Sequence, residues 1–233
     1  MTPHPKIAVL RERIAKAPAV GLKAKTDSIE IDALAGFHCQ AVEQALWEAK
    51  KHLRALGVTG PAVPDAEAWV GLPLPALQTP YGELADLVRA IGPSPGETWV
   101  DLGAGYGRLA LVLATLAPEV RFVGYELIPE RAHEGQRVLD NLGLGPSAAL
   151  HTQDLSAPRF TPAEADVYFL YEFGSRKHME KTLADLRETA RRRTITVAAR
   201  GELCRSLIDR GHPWLTSAVK PQHGERVSIY RSG

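Results

Sequence analysis

A doubly wound, mostly parallel α/β sheet of seven strands, finished by an antiparallel hairpin, is the fold this sequence predicts for residues 81–233. A helical extension stands ahead of it. Three observations carry the prediction. From residue 81 short apolar runs alternate with helical patterns. A glycine-rich turn, Gly103-Ala104-Gly105-Tyr106-Gly107, joins the first of those runs to its helix. The last two apolar runs are separated by a link too short to make anything but a hairpin.

Taken in order, residues 1–57 read as a helical region. Ile7, Leu10 and Ile14 recur at helical spacing, and a longer helix begins after Asp27, with Glu30 three residues on in a capping-box-like start. Its apolar positions are Ile31, Leu34, Phe37 or His38, Val42, Ala45, Leu46, Leu53 and Leu56, and Gly57 is a C-terminal stop. Residues 58–80 form a connector. Pro61, Pro64, Pro73, Pro75 and Pro80 remove backbone donors, while Trp69, Val70, Leu72, Leu74 and Leu77 are expected to lie on the next domain and not in water.

The alternation then starts with a helix at 82–91 and a strand at 98–102, followed by a helix at 107–116. A strand at 121–125, a helix at 129–142 and a weak strand at 148–151 come next. After these the pattern gives a strong strand at 165–171, a helix at 176–191, a strand at 194–199 and a helix at 201–210. Residues 214–219 and 226–231 are the hairpin strands, with 220–224 as the turn.

With 233 residues there is room for one ordinary α/β domain and an appendage. A formal charge of +1 gives no strong signal for a nucleic-acid partner. The run Arg187, Arg191, Arg192, Arg193 sits at a helix C-terminus, where cations suit the macrodipole, so a solvated helix end is the expectation. Two cysteines, Cys39 and Cys204, make neither a CxxC pair nor a disulfide framework, and the histidines have no metal-ligand spacing; no metal is expected. No apolar run is long enough to span a membrane and no signal peptide is read, so a soluble cytoplasmic protein is expected.

The chemistry is concentrated at Thr98-Trp99-Val100-Asp101-Leu102 and the turn behind it. Glycines there let a ligand approach the backbone closely, and the helix that follows offers free N–H groups. Glu126 ends the next strand, placed to accept both hydroxyls of a ribose. A nucleoside-type cofactor follows from the pair. The spacing is G-x-G-x-G, and Arg108 stands where a dinucleotide fingerprint wants Gly or Ala. Asp101, two places before the first glycine, repels a pyrophosphate but suits a ligand bearing an ammonium and a sulfonium. S-adenosyl-L-methionine is therefore preferred, with NAD and an oxidoreductase as the alternative.

Asp101-Leu102-Gly103-x-Gly105-x-Gly107 followed by a strand-end acid resembles motifs I and II of the class I S-adenosylmethionine-dependent methyltransferases, whose Rossmann-like sheet ends in the same kind of hairpin. The resemblance covers 81–231. It implies that Asp101, Gly103, Ala104, Gly105 and Gly107 line the methionine part of the cofactor and that Glu126 and Leu127 hold the ribose. Asp154 and Leu155 would meet the adenine, with capping of a turn before Ser156-Ala157-Pro158 as the lesser alternative for Asp154. Tyr81 and Glu83 would fold over the cofactor from the N-terminal side, or Tyr81 packs on the connector.

Tyr171-Glu172-Phe173-Gly174 stands where DNA-adenine and protein-glutamine methyltransferases carry [DN]-P-P-[YF], which disfavours those acceptors. The tracts TPYGELADLV, GETWVDLGAGYGRLALVLA and VGYELIPERA are similar to the seven-β-strand lysine methyltransferases, the Dot1-type and ATP synthase c-subunit enzymes among them. The basic tail of the histone enzymes is missing, against a nucleosomal substrate. The resemblance thus implies a methyl acceptor that is a protein lysine, or else a small-molecule amine or hydroxyl; a non-catalytic cofactor-binding protein is a further class. Tyr171 and Glu172 are the expected catalytic residues with Tyr81, Glu172 orienting an amine or taking its proton. Alternatively Glu172 caps the helix near Arg176, and Phe173 is either a lip or core. The N-terminal helices are expected to cover the cofactor or build part of the acceptor site.

Overall fold

The computed structural model describes residues 4–56 and 69–233. Among them, six of the seven strands run in one direction and β7 alone runs against them. The sheet order is β3-β2-β1-β4-β5-β7-β6, with β1 (Thr98–Leu102), β2 (Arg121–Glu126), β3 (Ala148–Thr152), β4 (Val167–Tyr171), β5 (Thr196–Arg200), β6 (Gln222–His223) and β7 (Val227–Arg231). β7 lies antiparallel to β5 and to β6, which is the expected terminal hairpin. Period-two side-chain alternation divides the core between the two faces. Trp99, Phe122 and Phe169 point into one half. Val100, Leu102, Tyr168 and Leu170 point into the other, under α8 (Arg176–Ala190) and α9 (Glu202–Gly211).

The first half also takes in α1 (Pro5–Lys16), α2 (Gly21–Ala35), α5 (Tyr81–Ile91), α6 (Arg108–Leu116) and α7 (Pro129–Asn141). Ile7, Leu10 and Ile14 are the buried stripe of α1, so the N-terminal region shares one apolar core with the sheet. Each such fully buried aliphatic side chain is worth about 1.5–3 kcal/mol. Removing α1 would therefore uncover α6, on which Arg11 also anchors by donating to Thr115 O at 2.7 Å.

Four expectations are corrected. The single long helix after Asp27 is two helices, α2 and α3 (Cys39–Ala55). Asp27 lies inside α2 and pairs with Lys23, and the chain breaks at Gly36, which caps α2 in the left-handed region at φ 100°. Residues 214–219 are not a strand: Pro213 opens the short helix α10 (Pro213–Thr216), which buries Leu215. A proline's fixed φ suits a first helical turn and outweighs the apolar run behind it. The hairpin strand is instead β6, within residues expected to be the turn; two exposed polar residues give no alternation to detect. In the connector Val70 is buried, but Trp69 and Leu72 are exposed, and Leu74–Leu77 is the one-turn helix α4. Gly57, Pro61 and Pro64 lie outside the described residues. Among the described residues no helix is long and apolar enough to cross a membrane, and no group of His, Cys, Asp and Glu could hold a metal ion.

Candidate active site

The chain leaves β1 toward β2 and β3, then returns to β4 on the other side of β1. Connections after β1 and β4 therefore diverge, opening a crevice at the strands' carboxyl ends, the usual ligand position in open α/β sheets. The glycine turn fills the β1 side of it. Gly103 and Ala104 both donate to Tyr125 O at 2.9 Å, tying the turn to β2. Gly103 has φ 92°, and a Cβ there would lie 3.0 Å from Phe173 Cβ, so Phe173 is the roof of the turn. Gly105, at φ 56°, meets nothing within 4 Å of where a Cβ would stand. That is the open cradle of the loop, where a ligand can reach the backbone.

Glu126 ends β2 beside this cradle. Its Oε2 accepts from Gly105 N at 2.8 Å and its Oε1 from Ile128 N at 2.9 Å. Arg131 Nη1 is 3.9 Å from the same Oε1. Burial pushes the Glu126 carboxyl up, with Arg131 and the two N–H groups opposing but not cancelling it. Asp101 is also buried; burial and then the Glu126 charge push its carboxyl up to about 8. Two desolvated carboxylates face one another across the turn, a cost a cationic ligand would relieve.

Arg108 is buried as well, but not against the sheet. Its Nε donates to Asp32 Oδ1 at 3.1 Å, its Nη2 bonds Asp32 Oδ2, and its Nη1 donates to Thr79 O at 3.2 Å. Tyr81 lies under the guanidinium, 5.1 Å from ring centre to Cζ, and its hydroxyl donates to Asp32 Oδ1 at 2.9 Å. Fully buried, Tyr81 is thus placed in the α2–α5–α6 contact; burial and the Asp32 charge push its phenol well above the usual range. Close helix packing, which a glycine or alanine would have provided at 108, comes instead from Gly135 of α7, where a Cβ would fall 2.7 Å from Tyr106 O.

At the β4–β5 side, Glu83 of α5 holds Arg200, with Arg200 Nε donating to Glu83 Oε1 at 2.7 Å. The guanidinium stacks 4.0 Å above the Tyr171 ring. Glu172 accepts from Leu203 N at 2.8 Å. The helix it caps is therefore α9, whereas Ser175 caps α8, a correction to the expected alternative. Gly201 makes room for that carboxylate, since any Cβ would stand 2.2 Å from Glu172 Oε1. Glu83, Tyr171 and Glu172 are thus brought to one rim.

Asp154 forms a local turn, its Oδ1 accepting from Ser156 N at 2.8 Å and Ser156 Oγ at 2.6 Å. Leu155 is buried and Leu127 is 44% exposed beside Glu126. In the basic run, Arg191, Arg192 and Arg193 pair with Glu188, Glu164 and Asp166. Cys39 and Cys204 are buried thiols, pushed up to about 12 by burial.

Sequence reasoning missed Arg200, Arg131, Glu43 and Asp32. The signal for Asp32 was present: an acid on the buried stripe of a helix needs a cation, and Arg108 was the misplaced one.

No family model and no curated protein matches the sequence. Among solved structures, TrmN from Thermus thermophilus is similar with a TM-score of 0.50 and 19% identity, over 71% of this chain and 51% of that one. The chain thus spans about half the length of that protein. An RNA methyltransferase from Salinibacter ruber, solved with S-adenosyl-L-homocysteine, gives a TM-score of 0.47 and 18% identity over 70% of this chain and 92% of its own. The C-terminal domain of precorrin-6Y C5,15-methyltransferase from Rhodobacter capsulatus gives 0.48 and 17%, over 66% and 90%. At 19% identity the likeness to TrmN shows a shared fold, a Rossmann-like sheet ending in an antiparallel hairpin.

Proposed function

We propose that this chain is an S-adenosyl-L-methionine-dependent methyltransferase. The observation that carries the proposal is the open glycine turn at the switch point of the sheet, flanked by the buried acids Asp101 and Glu126. Around it, among the described residues, three carboxyl groups, Asp101, Glu126 and Glu43, stand near one guanidinium, Arg131, beside the self-paired Asp32 and Arg108, and a cationic ligand would hold Asp101 ionised. Such an acidic lining suits a ligand carrying a sulfonium and an ammonium and disfavours a pyrophosphate, which favours this cofactor over NAD. The cradle at Gly105 and the two acids fit it. Asp101 would face the ammonium, Gly103, Ala104, Gly105 and Gly107 the methionine chain, and Glu126 with Leu127 the ribose. Asp154 and Leu155 would meet the adenine. When bound, the cofactor supplies an already activated methyl group, so the protein's part is largely to hold the acceptor in line.

For the acceptor we propose an amine, a protein lysine first. Support comes from the resemblance of the tracts around Tyr81, Asp101 and Glu126. The rim adds to it: Glu83 and Glu172 outnumber Arg200, which suits a basic acceptor. Glu172 orients the amine or takes its proton, and Tyr171, stiffened by Arg200, walls the approach. Tyr81 acts through Asp32 and Arg108 as a support of the turn.

Isothermal titration calorimetry with S-adenosylhomocysteine and, in parallel, NADH tests the cofactor. Binding of the first alone is expected, and heat from NADH alone would sink the reading. For the acceptor, a lysate incubated with the protein and methyl-tritiated cofactor is hydrolysed to amino acids. Label in methyl-lysine is expected; label confined to small molecules would move the acceptor to that class.

A further inference from the structure

Glu126 can serve a ribose only if its two oxygens keep acceptor capacity toward the cradle. A guanidinium stands close enough to take it. Arg131 Nη1 stands 3.9 Å from Glu126 Oε1, and a bidentate guanidinium–carboxylate pair would occupy the lone pairs a ribose needs. One group that holds Arg131 comes from outside the sheet. Glu43 of α3 accepts Arg131 Nε at 2.7 Å and Nη2 at 3.0 Å. Glu43 is itself fixed, since Tyr106 of the glycine turn donates its hydroxyl to Glu43 Oε1 at 2.8 Å. Both members of the pair are nearly buried, so the hold is little screened by solvent.

We propose that Glu43 is a positioning residue for the cofactor's ribose: it keeps Arg131 at electrostatic range of Glu126 and off its acceptor oxygens. The inference rests on the cofactor reading above. It gives the N-terminal helical region a defined part in ligand recognition, exerted through Arg131 and not by contact with the cofactor. Arg131 then supplies a field that favours the charged carboxylate, while each Glu126 oxygen, already accepting one backbone N–H, keeps its remaining lone pair for a hydroxyl.

The test is a comparison of two probes, S-adenosylhomocysteine and its 2′-deoxy analogue, titrated calorimetrically into the full chain. In the unaltered protein the ribose probe is expected to bind roughly tenfold more tightly, the worth of a charge-assisted hydrogen bond. In Glu43→Gln that ratio is expected to fall to near one, with the affinity of the deoxy probe little changed. Adding Arg131→Met to Glu43→Gln is expected to restore much of the ratio, because the competitor is gone. Tyr106→Phe, which leaves the backbone of the turn in place, is expected to lower the ratio by about threefold. Equal weakening of both probes by Glu43→Gln, or no rescue in the double variant, would overturn the inference. Failure of the unaltered protein to bind S-adenosylhomocysteine would instead overturn the cofactor reading, and is visible before any variant is made.

Discussion

Asp101→Asn separates what the candidate site costs the fold from what it does for a ligand. The Asp101 carboxyl moves from an ordinary 3.8 to about 8 on folding, through burial first and the Glu126 charge second. A folded-state pKa raised in this way gives stability that is fully present below about 4 and lost as pH rises toward 8. Each unit is worth about 1.4 kcal/mol, so at pH 7 roughly three units, or about 4 kcal/mol, have been forfeited. Asparagine keeps the shape and removes the proton equilibrium. Urea unfolding should therefore show the variant gaining on the unaltered protein as pH rises, by about 3 kcal/mol more at pH 7 than at pH 5. With saturating S-adenosylhomocysteine the ordering should narrow or reverse, since only the carboxylate pairs with the ligand's ammonium. A stability difference that does not change with pH would refute the account of Asp101 as a desolvated, strained acid.

The same equilibrium makes S-adenosylhomocysteine affinity of the unaltered protein rise between pH 6 and 8, read by calorimetry, and lie flat in Asp101→Asn. Asp32→Ala leaves Arg108 buried without its carboxylate and should lower stability by about 3–5 kcal/mol in denaturant unfolding. Glu172→Gln keeps an acceptor for Leu203 N, so unfolding should move by less than about 0.5 kcal/mol while methyl transfer falls by about 10²-fold or more. Arg200→Met releases Glu83 and Tyr171 together and should raise the acceptor's KM while leaving cofactor affinity unchanged, in steady-state kinetics against direct titration.

Much of the sheet could be read from the chain because its strands are buried on both faces and bounded by turn residues. Trp99 through Leu102 runs into three glycines that only a tight turn requires, and β1 spans the expected residues. The elements that escaped were those set by one residue against a longer pattern. Gly36 interrupts an apolar stripe that continues past it, and Pro213 starts a helix in a run that reads as a strand. At the site, the turn and Glu126 were legible because their spacing is local. Glu83 with Arg200, Glu43 with Arg131 and Asp32 with Arg108 were not, since each pair joins distant positions and depends on how helices dock. In the sequence the alternative capping role of Glu172 points to α8 and not α9 for the same reason: a carboxylate can cap any N-terminus the fold brings to it.

The break at Gly36 works as a caliper joint. On one straight helix Asp32 and Glu43, 11 positions apart, would sit about 16 Å from each other along the axis and on nearly the same side. Folded at Gly36, the two arms close on the glycine turn from opposite flanks, one gripping Arg108 and the other Arg131. The register of the second arm is then quantised. One residue added inside α3 between Cys39 and Glu43 would turn the rest of that helix by about 100° relative to its first turn and carry Glu43 away from its guanidinium.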